Sequence, residues 1–470
     1  MVDPHDQRHT LSQTQCLSED RADTAARTDF ALNCQFSRLR YAMSEPTLRQ
    51  AGATVIILVI VVKIVGFARE AVIAGVYGTT RVVDTYLAAI TIPAIFTNLV
   101  YQALPNAFVP LFAPGNASAR SRRLAIQLLV ISFGVSILLW LTAPWLASVT
   151  NSGFSPELKR QTINLIRIAA GGVLLATFEA LGRSRLIAQR RFVQSGLSQL
   201  WSSVTVIIAV VLFMDAGAYA LMWGLVIGIG VIGIWNVLPL SHRPQAPTAA
   251  ADAQEPSVTD GSWVAVVVLL TVIASFNGLI DRHLGSYLEA GSLAALQYAN
   301  LIATQPVAVC GITIATAIFP YLTQKLAAGD HDGTMSVLDR AVRWAMLGGI
   351  PSAVMVIVFA PEILRILLER GEFDMQSRAM TGSALAVYGF WMIPAVVSAV
   401  VAKVHYSARG VRELVWATVV GLVIKVGASF WWVEPFGIAG LAGSSAATLT
   451  AYLIILTVAL PGWLKFPLWK

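Results

Sequence analysis

The stretch VVKIVGFARE, residues 61–70, places Lys63, Arg69 and Glu70 near the end of an otherwise apolar run. On a helix advancing 100° per residue, with Lys63 as the origin, Glu70 lies at about −20°, Gly66 at about −60° and Arg69 at about −120°. The three charges therefore share one arc with a glycine in its middle. A charge facing lipid costs at least about 2.5 kcal/mol on insertion scales, so this arc is expected to face a polar cavity. The plainer account of Arg69 and Glu70 is that they snorkel to the membrane interface, but Lys63 sits about two turns deeper.

A second polar line follows. Asp84, Thr91, Asn98, Gln102 and Asn106 fall within about 40° of one line along a helix. Later in the chain, Asp281 and Arg282 end another apolar run, and Gln297, Asn300, Thr304 and Gly311 lie within about 60° of one another. For any single Thr or Asn, hydrogen bonding between helices is the simpler role. Stripes at corresponding places in the two halves instead suit a wet, cargo-lining face.

No nucleotide-binding loop, zinc motif or nucleophile constellation is present, so neither enzyme chemistry nor a cofactor is expected. His283 and His405 fall near helix ends and read as interfacial. Cys16 and Cys34 lie in the polar N-terminal tail and Cys310 in an apolar run, a spacing that gives neither a metal site nor a disulfide framework.

The elements that must hold these residues follow from composition. Hydrophobic residues make up 56% of the 470 and charged residues only 13%, too few charges for a water-soluble chain of this length. The net charge of +7 is concentrated in short segments between apolar runs, which suits membrane loops and not a nucleic-acid surface. Beyond a polar tail at 1–45, within which Met43 is an alternative start, about twelve apolar segments are long enough to cross roughly 30 Å of hydrocarbon. The least distinct boundaries are at MDAGAY and WWVEPFG.

The expected fold is an all-α integral membrane protein, with about twelve transmembrane helices in two six-helix bundles around a central cavity. The bundles span 46–240 and 263–470, joined by a Pro-, Ala- and acid-rich linker at 241–262. Basic loops such as RSRR (120–123), Arg183 to Arg191, and Lys403 to Arg412 follow even-numbered spans, whereas ERGEFD (369–374) does not. The positive-inside rule then puts the N-terminus in the cytoplasm. The halves also echo one another: Arg69-Glu70 matches Asp281-Arg282, and AFVPLF matches AIFPYL.

KIVGFARE…VYGTTRVVDTYLAAITIP…NAFVPLF, then LIDRHLGSYLEAGSLAALQYANLI, LLERGEFD and HYSARG, closely resemble the MurJ (MviN) family of the multidrug/oligosaccharidyl-lipid/polysaccharide flippase superfamily. The resemblance runs from about residue 46 to 460. It implies a bacterial inner-membrane transporter that moves lipid II, an undecaprenyl-pyrophosphate-linked peptidoglycan precursor, from inner to outer leaflet by alternating access. Lys63 matches a position usually held by arginine, and Arg69, Glu70 and Asp84 match family residues directly. Thr97 and Asn98 stand where the family has an arginine pair, Asn300 and Leu301 replace an acid and a base, and two further helices common in the family are not matched.

A pyrophosphate crossing a membrane needs fixed cations in place of water, and Lys63, Arg69 and Arg282 are the candidates. Asp84, Glu70 and Asp281 are the groups to bind a coupling cation or to pair those bases between cargo visits. Readings to be set against lipid II transport are a flippase for another polyprenyl-linked glycan, a drug or cation antiporter, and a non-transporting envelope scaffold.

Overall fold

The computed structural model describes residues 46–109, 112, 119–189, 191–238, 261–408 and 410–460. The expected tail and all but the last two residues of the linker lie outside them. The described residues contain helices and turns and no strand: α1 Pro46–Tyr77, α2 Arg81–Phe108, α3 Ala119–Thr150, α4 Pro156–Ala188, α5 Phe192–Leu212 and α6 Ala218–Val237 in the first half. The second half comprises α7 Gly261–Gly285, α8 Ser292–Val307, α9 Thr313–Ala327, α10 His331–Leu367, α11 Met375–Ser407 and α12 Val411–Val458. The described residues from 57 onward cluster as one compact unit.

Nine stretches among the described helices are long and apolar enough to cross a membrane. One is Ser292–Ala327, in which α8 and α9 are continuous through a π turn at Ala308–Ile312. Pro306, which has no N–H to give the helix ladder, lies just before that turn.

The 48-residue α12 is a hairpin. Lys425 Nζ is 2.7 Å from Ser445 Oγ, whereas twenty residues of straight helix would span about 30 Å. The reversal falls at Gly437, with φ 56° and ψ −128°, a conformation open in practice to glycine alone. Gly217, between α5 and α6, has nearly the same pair, φ 57° and ψ −125°. The two least distinct sequence boundaries therefore turn in the same way at matching places in the two halves. Nine membrane-length stretches among the described helices stand against the twelve or so expected from the sequence, with the α12 hairpin counted once and α1 and α7 not among them.

Within the first half, α4 packs against α2, α3 and α6, and α5 against α6; in the second, α11 packs against α8, α10 and α12, and α12 against α7. Small residues permit the closest approaches. A Cβ on Gly224 would come within 2.9 Å of Ala209, and one on Gly228 within 2.4 Å of Thr205. The halves meet through α2 with α7 and α8, and through α3 with α7.

Candidate functional site

The hydrogen bonds that join the halves cluster at the end of the bundle formed by the turns at 78–80, 151–155, 286–291 and 368–374. Their centre is Asp84, in the first turn of α2 and fully buried. α8 starts from Gly291, which has φ +85° and no side chain with which to cap the helix. Its free N–H groups need an acceptor. Asp84 supplies one from the other half: its carboxylate accepts the N–H of Gly291 at 2.7 Å and that of Ala294 at 2.9 Å. A buried carboxylate gains twice in this position, from charge-assisted hydrogen bonds and from the positive end of the helix dipole. Arg81 lies 3.5 Å from the same carboxylate and donates to the Leu288 carbonyl at 3.0 Å.

Contacts around this cap are equally tight. Thr79 donates to Ser377 across the halves at 2.8 Å, and the Glu372 N–H donates to the Gly75 carbonyl at 2.9 Å. Gly153 donates its N–H to Ser286 Oγ at 3.1 Å. His283, only half-buried, has Nδ1 2.9 Å from the Val149 carbonyl. The glycines permit these approaches: a Cβ on Gly291 would sit 2.0 Å from the Thr79 carbonyl oxygen, and one on Gly371 2.2 Å from that of Gly75. Tyr298, nearly fully buried, stacks edge-on against Phe373 behind them, with ring centroids 5.8 Å apart.

Among the described residues, the charges of the first stretch make no hydrogen bond to this cap, although Glu70 and Asp84 both act on Tyr298. Lys63 is exposed and has no ion pair or hydrogen bond with another described residue. A Cβ on Gly66 would meet nothing within 4 Å, so the arc between them borders open space. Arg69 and Glu70 pair with each other, Arg69 Nε donating to Glu70 Oε1 at 3.0 Å and Nη2 closing on the same oxygen. Asn98 is exposed, and Thr91 returns its hydroxyl to the Leu87 carbonyl of its own helix at 2.7 Å. The side chain of Gln102 lies outside the described residues.

In the second half the predicted residues do converge. Arg282 donates to Gln297 Oε1 at 3.0 Å, joining α7 to α8. The Tyr388 hydroxyl lies within side-chain reach of Asn300 and Ser445, joining α8, α11 and the second arm of α12. Thr304 bonds the Leu301 carbonyl of its own helix at 2.9 Å. Asp281 does not stand free, because the ammonium of Lys425 lies 2.6 Å from its Oδ1. Sequence reasoning missed Lys425, although a single charge in the apolar run VVGLVIKVGASF was a sufficient signal. It also read His405 as interfacial; the ring is buried, with Nε2 2.9 Å from the Leu456 carbonyl.

Among the described residues no cluster of His, Cys, Asp or Glu is arranged to hold a metal ion. The described side chains at the junction of the halves offer hydrogen bonds and fixed charge. One end is closed by contacts that can separate without breaking covalent bonds, and α1 carries in Lys63 a cation with no ion pair among the described residues.

Comparison with known proteins gives concordant results. The family model described as "Lipid II flippase MurJ" matches residues 73–470. The lipid II flippase MurJ of Burkholderia cenocepacia is 24% identical over 435 residues, covering 86% of this chain and 84% of that protein. A probable lipid II flippase MurJ of Rhizobium tropici is 25% identical, but the match covers only 64% of that relative's length and 70% of this chain. Among solved structures, a lipid II flippase MurJ in an inward closed conformation superposes with TM-score 0.73 at 18% identity, covering 86% of this chain and 87% of the other. An inward-facing multidrug resistance MATE family transporter gives TM-score 0.63 at 14% identity, covering 87% and 93%.

Proposed function

The chain belongs to the lipid II flippase MurJ family, and from that membership we propose that it carries lipid II from the inner to the outer leaflet of the bacterial cytoplasmic membrane by alternating access. It acts as a transporter, with no covalent step. In this reading 46–240 and 263–470 rock against each other about the linker at 241–262, with the N-terminus in the cytoplasm. The sealed end then faces outward, and the structure is the state that receives cargo from inside.

The observation that carries this reading is the Asp84 cap on α8. A carboxylate of one half satisfying backbone donors of the other is a contact that two rigid bodies can make and release as a unit. Lys63, exposed and without an ion pair among the described residues, is the first cation available to a diphosphate head group, and Arg69 and Arg282 become available when their neutral or acidic partners let go. Thr91, Asn98, Gln102, Gln297, Asn300 and Thr304 supply neutral hydrogen bonds along the path. Outward movement of an anion is favoured by an inside-negative potential, by about 2.3 kcal/mol per charge per 100 mV. Of the two roles open to Glu70, Asp84 and Asp281, pairing within the protein between cargo visits is the one their present partners favour over binding a coupling cation.

The test is reconstitution into vesicles with lipid II and, separately, with a polyprenyl-pyrophosphate-linked glycan lacking the peptide. Outward movement of lipid II, together with recovery of a prenyl-pyrophosphoryl muropeptide from protein purified out of its native membrane, is the expected result. Movement of the peptide-free glycan alone would assign the second reading. Movement of neither, in protein that still binds drug cations, would assign an antiporter.

A further inference from the structure

The Nζ of Lys425 sits inside a cage of four oxygens. They are Asp281 Oδ1 at 2.6 Å, Ser445 Oγ at 2.7 Å, Ser444 Oγ at 2.9 Å and the Leu441 carbonyl at 3.2 Å. The lysine is completely buried. Both serine hydroxyls donate to the Leu441 carbonyl, at 2.7 Å and 3.2 Å, and Ser429 donates to Ser444 at 2.8 Å. Their protons are thus directed elsewhere, and what they present to the centre of the cage is lone pairs.

Four oxygens surround a group that has only three N–H donors. The set, one carboxylate, one backbone carbonyl and two hydroxyls, is the hard-oxygen chemistry by which proteins hold small alkali and alkaline-earth cations. The carbonyl and hydroxyls come from the arm of α12 that follows the Gly437 reversal, the carboxylate from α7 and the ammonium from the arm before it. Through Tyr388, which reaches Ser445 and Asn300, the cage is also linked to α11 and α8. The Lys425 ammonium, together with the field of Arg282, balances the charge of the largely buried Asp281.

The geometry points to a monovalent-cation site that this chain fills with its own side chain: the Lys425 ammonium is a tethered ion occupying the place that Na⁺ would otherwise take. The second half is then held together without a cation drawn from solution, and Na⁺ has no vacancy to enter at Asp281. Shortening the side chain reopens the site. The inference concerns the resting fold and does not rest on the identity of the cargo.

Thermal unfolding of the full-length protein in detergent tests it, in sodium chloride against choline chloride at equal ionic strength, choline being too large for the cage. The wild-type midpoint is expected to be the same in both salts, an arm that requires no variant. Lys425→Ala is expected to unfold several degrees lower in choline and to regain stability saturably as sodium is added, since a ligand that binds only the folded state raises its midpoint. That rescue is expected to vanish in Lys425→Ala/Asp281→Asn. A saturable sodium stabilisation of the wild type that disappears in Ser445→Ala would overturn the proposal. So would a Lys425→Ala protein indifferent to sodium, whether folded in both salts or recovered in neither.

Discussion

The carboxylate of Asp84 accepts the backbone N–H of Gly291 at 2.7 Å, so an acid at the start of one half's second helix serves as the cap for a helix of the other half. The two residues are 207 positions apart. A helix that cannot cap itself has its first turn completed only while the halves are together. This makes the seal sensitive to a single side chain.

Asp84→Ala is accordingly expected to weaken the sealed state by about 2 kcal/mol, within the range for losing a helix cap or a charge-assisted hydrogen bond. Asp84→Asn, which keeps one acceptor oxygen, should cost about half as much. The readout is alkylation of a cysteine placed at Thr79, which should quicken in Asp84→Ala and less in Asp84→Asn. An unchanged rate would remove Asp84 from the seal.

Gly291→Ala should act on the same contact by wedging it. The left-handed backbone alone costs an alanine about 1–2 kcal/mol, and its methyl would fall 2.0 Å from the Thr79 carbonyl oxygen. Protein should still reach the membrane, but lipid II movement in reconstituted vesicles should fall at least tenfold. Gly66→Ala is the control: its methyl would meet nothing within 4 Å, and activity should be retained.

Lys63→Ala should abolish lipid II movement at normal expression, whereas Lys63→Arg should be tolerated, because a guanidinium grips phosphate oxygens at least as well as an ammonium. Arg69→Ala should also fail, and Arg282→Ala should match it if both halves hold one head group. Asn98→Ala should be milder, since a neutral hydrogen bond contributes about 1 kcal/mol and a charge-assisted one roughly twice that. Wild-type transport by Lys63→Ala would reduce this lysine to an anchor of α1.

Orientation is open to cysteine labelling. Ser121 is buried and Gly371, at φ +58°, has no room for a side chain, so the exposed neighbours Arg122 and Glu372 are the positions to use. Impermeant maleimide added to intact cells freed of their outer membrane should modify a cysteine at 372 and not one at 122. The reverse pattern would place the sealed end in the cytoplasm and invert the proposed cycle.

What the sequence revealed depended on how far apart the partners lie. Apolar runs and basic loops gave the helical membrane fold, and even the two indistinct boundaries proved to be matching glycine turns at Gly217 and Gly437. Lys63, Arg69 and Glu70 stood out as charges in an apolar run, but that Arg69 and Glu70 pair with each other was not read from the sequence. Asp84 was found as a residue but not as a cap, since its donors come from another half of the chain and are backbone groups with no side-chain signature. Lys425 was overlooked for a related reason. Its carboxylate lies on α7 and its hydroxyls beyond a reversal that hydropathy does not register.

The most direct measurement uses Thr79 and Ser377, whose side-chain oxygens lie 2.8 Å apart across the seal. In a background lacking Cys16, Cys34 and Cys310, Thr79→Cys/Ser377→Cys should form a disulfide on mild oxidation, since the two side-chain tips already meet at 2.8 Å. The oxidised protein, reconstituted with lipid II, should move none of it, and reduction should restore the rate. Full lipid II movement by quantitatively cross-linked protein would contradict alternating access through the opening of this end.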